Sequence, residues 1–413
     1  MSITLSNIGE KVLLMGFFLT PFTSLRFGLV GPGEILILLA ALIALISGGG
    51  VLKLDERIQI LYRFWAGFLS VSVLGIVYNS FLFRAPSGRL DTLAFDSLSY
   101  IFILISIVAT GSYSRNRADF SPNFFQPLFL CWSFVYVILY AVSFFAPSIF
   151  GMPLRYYHFF SPLVDNIHQA ASVTCVMGFI ALFLAAQSPE YLTRLFYIIT
   201  AALFAMMALD SGSTKAMLGI VLGTVVSILF LIAYRKSGKG KYFLNRMFLI
   251  IITMSVLVLF SLYQGNIEGF AVQFFSENDG GGARESLYGA GFNHGLDSLL
   301  VGYGPGSHAP HANGFSDAHN TVLTIFLQSG IPGLLVFALF TARLLQKLSI
   351  NFALLGVFAA TGSYVLGGDI LRRLPIWIII MGTVYFAADV SIGSASSVRG
   401  ASLKGTSKNR NRA

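Results

Sequence analysis

Apolar stretches long enough to cross a bilayer recur along the whole chain, and no other feature limits its fold as strongly. A helix needs about 20 such residues to span ~30 Å of hydrocarbon. Twelve runs fit, at 8–25, 33–47, 60–81, 93–111, 124–146, 168–187, 191–209, 215–234, 243–263, 320–342, 348–367 and 373–392, the second being short. Lipid offers backbone groups no hydrogen bonds, so segments of this kind must be helices. The expected fold is an all-α polytopic membrane protein with about twelve transmembrane helices. Composition agrees: of 413 residues, 55% are hydrophobic and 11% charged, against about 25% charged in soluble domains.

Basic residues orient the helices, because Lys and Arg gather in cytoplasmic loops. The tail "SVRGASLKGTSKNRNRA" is basic and free of acids, so it is assigned to the cytoplasm. Twelve spans then put the N-terminus there too, with "YRKSGKGKYFLNR", Lys53, Arg57, Arg115, Arg117, Arg343 and Lys347. On this map 19 of the 27 basic residues lie inside. The eight outside are Arg26, Arg84, Arg89, Arg155, Lys215, Arg284, Arg372 and Arg373. Seven are arginine, the side chain suited to forked recognition of phosphate or carboxylate. All six histidines, His158, His168, His294, His308, His311 and His319, map outside as well.

Other classes recede. The first apolar run leads straight into a second without a small-residue cleavage site, so no cleavable signal peptide is expected. Cys131 and Cys175 fall within spans and give neither a disulfide framework nor a metal-ligand spacing. The net charge of +9 reflects the inside bias and the tail, not nucleic-acid binding; the tail suits anionic membrane lipid.

Two outer connections are long, 147–167 and 264–319. The domain reading is therefore 1–263 for helices one to nine, 264–319 for an outer loop, 320–392 for helices ten to twelve, and 393–413 for the tail. The larger loop is glycine-rich, and a short amphipathic helix is expected near 284–300, with Leu287, Leu296, Leu299 and Leu300 on the membrane surface. It ends in "GYGPGSHAPHANGFSDAHNTVL". His308, His311 and His319 invite a metal reading, but no carboxylate or cysteine at helical spacing completes a site, and no Asp-x-Asp pair occurs. His319 stands apart, where the loop re-enters the membrane. A neutral imidazole near pH 7 suits a general base toward a sugar hydroxyl. Asn320 is a candidate to orient it or to bind sugar; alternatively Asp317 and Asn320 simply cap the next helix. Arg84 and Arg89 read as solvated, Arg372 and Arg373 alternatively as interface anchors. Asp96, Asp210 and Asp369 lie near outer helix ends as partners for these arginines.

"GGARESLYGAGFNHGLDSLLVGYGPGS", continuing to "DAHNTVLTIFLQSGIPGLL", resembles the loop of the bacterial O-antigen ligase and O-antigen polymerase superfamily. The matching pattern is an arginine, a Gly-x-Gly-x-Gly turn at Gly302, Gly304 and Gly306, His-Asn, then Gly-x-x-Gly at Gly330 and Gly333. "DNIHQAASVTCVMGFIALF" and "ALDSGSTKAMLGIVLG" echo the family more weakly, with Lys215 where arginine is usual. The resemblance implies a GT-C-like, lipid-carrier-dependent glycosyltransferase of the inner membrane, its active site facing the periplasm and 264–319 its catalytic loop. It implies no metal and no other cofactor.

The implied donor is a glycan on undecaprenyl pyrophosphate. Fixed positive charge must stabilise that leaving group, which points to Arg284, with Lys215, Arg372, Arg373 and Arg26 as partners. His319 would deprotonate the acceptor hydroxyl for inverting attack, and Gly302, Gly304 and Gly306 would let backbone approach the substrate closely. The acceptor is another lipid-linked repeat unit in a polymerase, the reading preferred here, or lipid A core in a ligase. A chain-length regulator is a candidate partner. The rivals are a flippase of lipid-linked sugars, which should carry charge deep in a central cavity, and a peptidoglycan-type polymerase depending on an outer-loop aspartate.

Gly280→Cys and Pro310→Cys should label with a membrane-impermeant thiol reagent in intact spheroplasts, and Gly238→Cys should not. The opposite pattern inverts the topology.

Overall fold

The computed structural model describes residues 5–52, 54–81, 90–115, 117–236, 281–307 and 320–408. Within them the protein is all-α and polytopic. Its helices are α1 (Leu5–Leu19), α2 (Pro32–Ser47), α3 (Gln59–Phe81), α4 (Leu90–Ser114), α5 (Gln126–Ser143) and α6 (Ile167–Gln187), then α7 (Tyr191–Asp210), α8 (Thr214–Lys236), α9 (Gly281–Leu296), α10 (Thr321–Leu348), α11 (Phe352–Gly367) and α12 (Leu374–Lys408). Among the described residues eight helices are long and apolar enough to cross a membrane. The 16-residue helices α2 and α11 and the 15-residue α1 are shorter. The ninth expected span, 243–263, lies outside the described residues, as does the greater part of the large loop. A helix does occur where 284–300 suggested one, as α9. The only strands among the described residues form two small hairpins in the 147–167 connection, Ser148–Ile149 with Met152–Pro153 and Arg155–Tyr156 with Phe159–Phe160.

Lipid provides no hydrophobic drive between helices, so close packing and internal hydrogen bonds must hold them together. Glycines bring α1 and α2 together: a Cβ at Gly33 would lie 2.9 Å from the Gly16 carbonyl oxygen. Helix α6 is enclosed along nearly its whole length, and the apolar part of α12 almost as fully. Around them, rings from four helices interlock. Phe64 of α3 stacks on Phe340 of α10 at 4.5 Å, and Trp65 meets Trp377 of α12 at 4.8 Å and Tyr100 of α4 at 5.4 Å.

The feature that shapes the functional end is a break in α10. Gly330 leaves the helical region (φ 59°, ψ −156°), and Pro332 follows. Proline has no N–H, so the Gln328 carbonyl loses its usual donor four residues on; the Gly304 N–H supplies one instead, at 2.9 Å. The Ile331 N–H turns to the Leu299 carbonyl (2.9 Å), and the Leu327 carbonyl accepts from the Tyr303 N–H (2.8 Å) and Ser307 Oγ (3.1 Å). Asn79 of α3 and Ser298 secure the turn by donating to the Gly302 carbonyl at 2.8 and 2.7 Å. The segment after α9 thus inserts beside α3 and α10 and completes the hydrogen bonding of the broken span, the circumstance in which non-helical backbone is tolerated there.

Insertion of this kind needs a side chain missing. Gly302 has φ +67°, and a Cβ there would lie 2.3 Å from the Ser329 amide nitrogen. Gly302→Ala should therefore destabilise the protein by ~2–5 kcal/mol, from the left-handed backbone and the overlap together. Gly151→Ala, at φ +77° with nothing within 4 Å, should cost only the backbone part, ~1–2 kcal/mol. Thermal unfolding of the two purified variants in detergent makes the comparison, and equal losses would contradict the inserted turn.

Candidate functional site

Connections between helices are stitched together at one end of the bundle. The loop before α2 meets the one before α6 through Ser24, whose N–H donates to the Leu163 carbonyl (3.0 Å) and whose Oγ donates to Asp165 (2.9 Å). Arg155 of the second hairpin pairs with Asp210 at the end of α7 (2.8 Å), and the Phe159 ring covers Gly212 in the α7–α8 turn. The start of α10 is fastened to the α11–α12 connection. Thr321 Oγ1 donates to the Gly368 carbonyl (2.8 Å) and accepts from the Ile370 N–H (3.1 Å). Asn320 caps α10 by accepting from the Leu323 N–H (3.0 Å), while its amide nitrogen donates to the Leu366 carbonyl (2.8 Å).

Three of the cations singled out in the sequence gather around this fastening. The Arg372 Nε lies 3.0 Å from Asp369 and 3.6 Å from Asp96. Arg373 donates from Nε to the Asp369 carbonyl (2.9 Å) and from Nη1 to Ser172 Oγ in the first turns of α6 (3.4 Å). The Lys215 stem lies against Gly367 and Gly368: a Cβ at Gly368 would sit 3.4 Å from its Nζ. Asp369 is buried, whereas Lys215, Arg372 and Arg373 are partly exposed. A patch with two forked guanidiniums and one ammonium at the edge of an apolar bundle can hold a phosphate-bearing headgroup.

Arg26 does not join this patch directly; it pairs with Glu34 at 2.5 Å, and Glu34 also accepts from the Gly31 N–H at the start of α2. That pair helps to order the turn. Arg155 is likewise structural, held by Asp210, the His158 carbonyl and Ser143. The backbone at Gly302, Gly304 and Gly306 packs closely on protein: added Cβ atoms would meet Ser329, Ile76 and Leu93 respectively within 2.8 Å. The Gly304 N–H pairs with the Gln328 carbonyl of α10, the Gly306 N–H with Asp96, and the Gly302 carbonyl with Asn79 and Ser298. Both polar atoms of the Asn320 side chain make the cap and the fastening just described. Arg284 belongs to α9, but its side chain, with His308, His311 and His319, lies outside the described residues, and so do Arg84 and Arg89.

Sequence reasoning passed over Gln328 and Ser172. Gln328 is a buried amide in an apolar helix; its Oε1 accepts from Tyr100 (2.9 Å) and its Nε2 donates to Asp96 (2.8 Å). A lone glutamine in such a run was the available signal.

A second polar network occupies the opposite end. Arg57 pairs with Asp55 (2.7 Å) and donates to the Ser114 and Arg117 carbonyls, Lys347 donates to the Arg57 carbonyl (2.9 Å), and Arg117 pairs with Glu10. Burial pushes the Asp55 carboxyl up, but hydrogen bonds from Arg57 outweigh it and hold the group below the usual carboxylate range.

These features define a polytopic helical membrane protein with a cationic patch at one end. Residues 199–338, from α7 into α10, match the family model described as O-antigen ligase. No curated protein matches the chain. Lys215 and Asn320 fall inside the matched segment; Asp96, Arg372 and Arg373 lie outside it. A family domain of this kind in a multi-pass helical protein supports a membrane enzyme that transfers glycan from a lipid-linked donor to an acceptor.

Asn320→Ala should lower stability by about 1 kcal/mol through loss of the cap. Asn320→Asp keeps the capping oxygen and should recover most of it, leaving only the contact to Leu366 unmade. Thermal unfolding reads both, and equal losses would assign the effect to Leu366 instead.

Proposed function

We propose that the protein is a metal-independent, inverting glycosyltransferase of the inner membrane, acting at its periplasmic face. It transfers a glycan from undecaprenyl pyrophosphate to a sugar hydroxyl. The observation carrying this reading is the meeting of Lys215, Arg372 and Arg373 at the fastening of Asn320, the sequence neighbour of His319.

In this scheme the acceptor hydroxyl gives its proton to His319 as its oxygen bonds to the anomeric carbon. The bond from that carbon to the pyrophosphate oxygen breaks on the opposite face, which inverts the centre. The departing pyrophosphate gathers negative charge, and guanidinium and ammonium groups fixed in advance stabilise it more than they do the ground state. Arg284 joins Lys215, Arg372 and Arg373 in that role. Arg26, which pairs with Glu34, is a further candidate, and the three glycines hold the inserted turn of the site.

The preferred acceptor is a second lipid-linked repeat unit, making the protein a polymerase of surface polysaccharide, with a chain-length regulator as candidate partner. Transfer to lipid A core, as a ligase, is the alternative. A flippase is disfavoured by the separation of the two described polar networks, with interlocked aromatic rings between them.

His319→Ala should reduce turnover roughly 10²–10⁴-fold, the usual worth of general-base catalysis, with little change in donor affinity. Arg284→Ala should impair both turnover and donor binding, and Arg284→Lys should restore only part, since an ammonium lacks the bidentate fork. His308→Ala and His311→Ala should stay within a few-fold of the parent. The assay uses matched, inserted protein with donor alone and with donor plus lipid A core. A ladder from donor alone marks a polymerase and a single transfer to core a ligase; full activity in His319→Ala removes the base.

A further inference from the structure

We infer that Asp96 is a positioning residue: it ties the turn at Gly306 to Arg372 and so sets where that guanidinium meets the pyrophosphate of the substrate. The inference rests on the reading of Arg372 as a leaving-group cation. Asp96 lies in the second turn of α4 and is fully buried, so it cannot touch a substrate and must act through a neighbour. Its Oδ2 accepts from the Gly306 N–H (2.9 Å) and from Gln328 Nε2 (2.8 Å), while its Oδ1 faces the Arg372 Nε (3.6 Å). One carboxylate therefore joins α4, the inserted turn, the first half of α10 and the segment leading into α12.

Charge is the informative part. A carboxylate buried inside a span is costly and marks function unless structure demands it. Neither Gly306 nor Gln328 demands it: an amide oxygen would serve both neutral donors. Arg372 does, and it is 19% exposed where Asp96 is 0%, so it reaches from the buried network to the surface. Asp96 and Asp369 both hold it at Nε, the inner edge of the guanidinium. That contact fixes the plane of the fork, the property that separates arginine from lysine in phosphate binding.

The test is a double-mutant cycle on the full-length protein in nanodiscs, with undecaprenyl pyrophosphate as the probe. Arg372→Gln should weaken binding about tenfold, and Asp96→Asn by about three- to tenfold, within the range of coupling between contacting groups. The double variant should bind as Arg372→Gln does, because Asp96 has nothing left to position. A purely structural Asp96 would instead multiply the two losses and overturn the inference while leaving the role of Arg372 intact. Unchanged binding in Arg372→Gln, or no binding by the parent, would overturn the reading of Arg372 and the inference with it. Should Asp96→Asn not accumulate as monodisperse protein, Gln328→Met completes the same cycle: it removes one tie and keeps the carboxylate. Additivity there counts equally against the proposal.

Discussion

The rest of the functional end depends on how the interruption of α10 is repaired. A helix in lipid cannot leave its backbone groups unpaired, since each would cost several kcal/mol. Gly330 and Pro332 together free the Leu327 and Gln328 carbonyls and the Ile331 N–H, and all three find partners in the segment 299–307. That segment must therefore sit at a fixed depth and in a fixed register. From it follow the position of Gly306, the burial of Asp96 beside it, and the point at which the chain enters 308–319. One local break thus determines the geometry of residues far apart in sequence.

The same logic explains why the cations gather where they do. Asp369 accepts from the Leu371 N–H (2.8 Å) and pairs with Arg372, so the short connection between α11 and α12 is rigid before any ligand arrives. Thr321 and Asn320 bind its backbone from the other side. Preorganisation of this kind is what electrostatic catalysis requires, because dipoles and charges already in place need no rearrangement as the transition state forms. The acids leave the patch cationic: Lys215, Arg372 and Arg373 stand against Asp369 and Asp96.

Much of this was legible in the sequence, and the remainder was hidden for physical reasons. Apolar run lengths located the helices because lipid imposes that requirement directly, and helix-end charges announced the pairing of Arg372 with Asp96 and Asp369, whereas the partner of Asp210 is Arg155, which that reading had not offered. Asn320 had the chemistry of a cap and is one. The break was not legible, because a Gly-x-x-Gly inside an apolar span reads equally well as a close-packing surface. Nor was the close approach of Gly302, Gly304 and Gly306 to α3, α4 and α10 legible, because it follows from that break. The pairing of Arg26 with Glu34 was hidden for a related reason: Glu34 lies across a turn whose geometry no periodicity encodes.

Lys215 shows how local packing places a cation. Its stem runs along Gly367 and Gly368, where a Cβ at Gly367 would approach its Cγ to 3.2 Å. The glycines thus form a shallow track for four methylenes, with the ammonium delivered at the end. The site therefore combines two kinds of cation. In the proposed scheme Arg372 and Arg373, tied at Nε to Asp369, offer forks of fixed orientation, and Lys215 adds a compact charge beside Gly367 and Gly368. For a leaving group whose charge grows as its bond breaks, planar forks and a compact point charge, all held in place beforehand, are complementary.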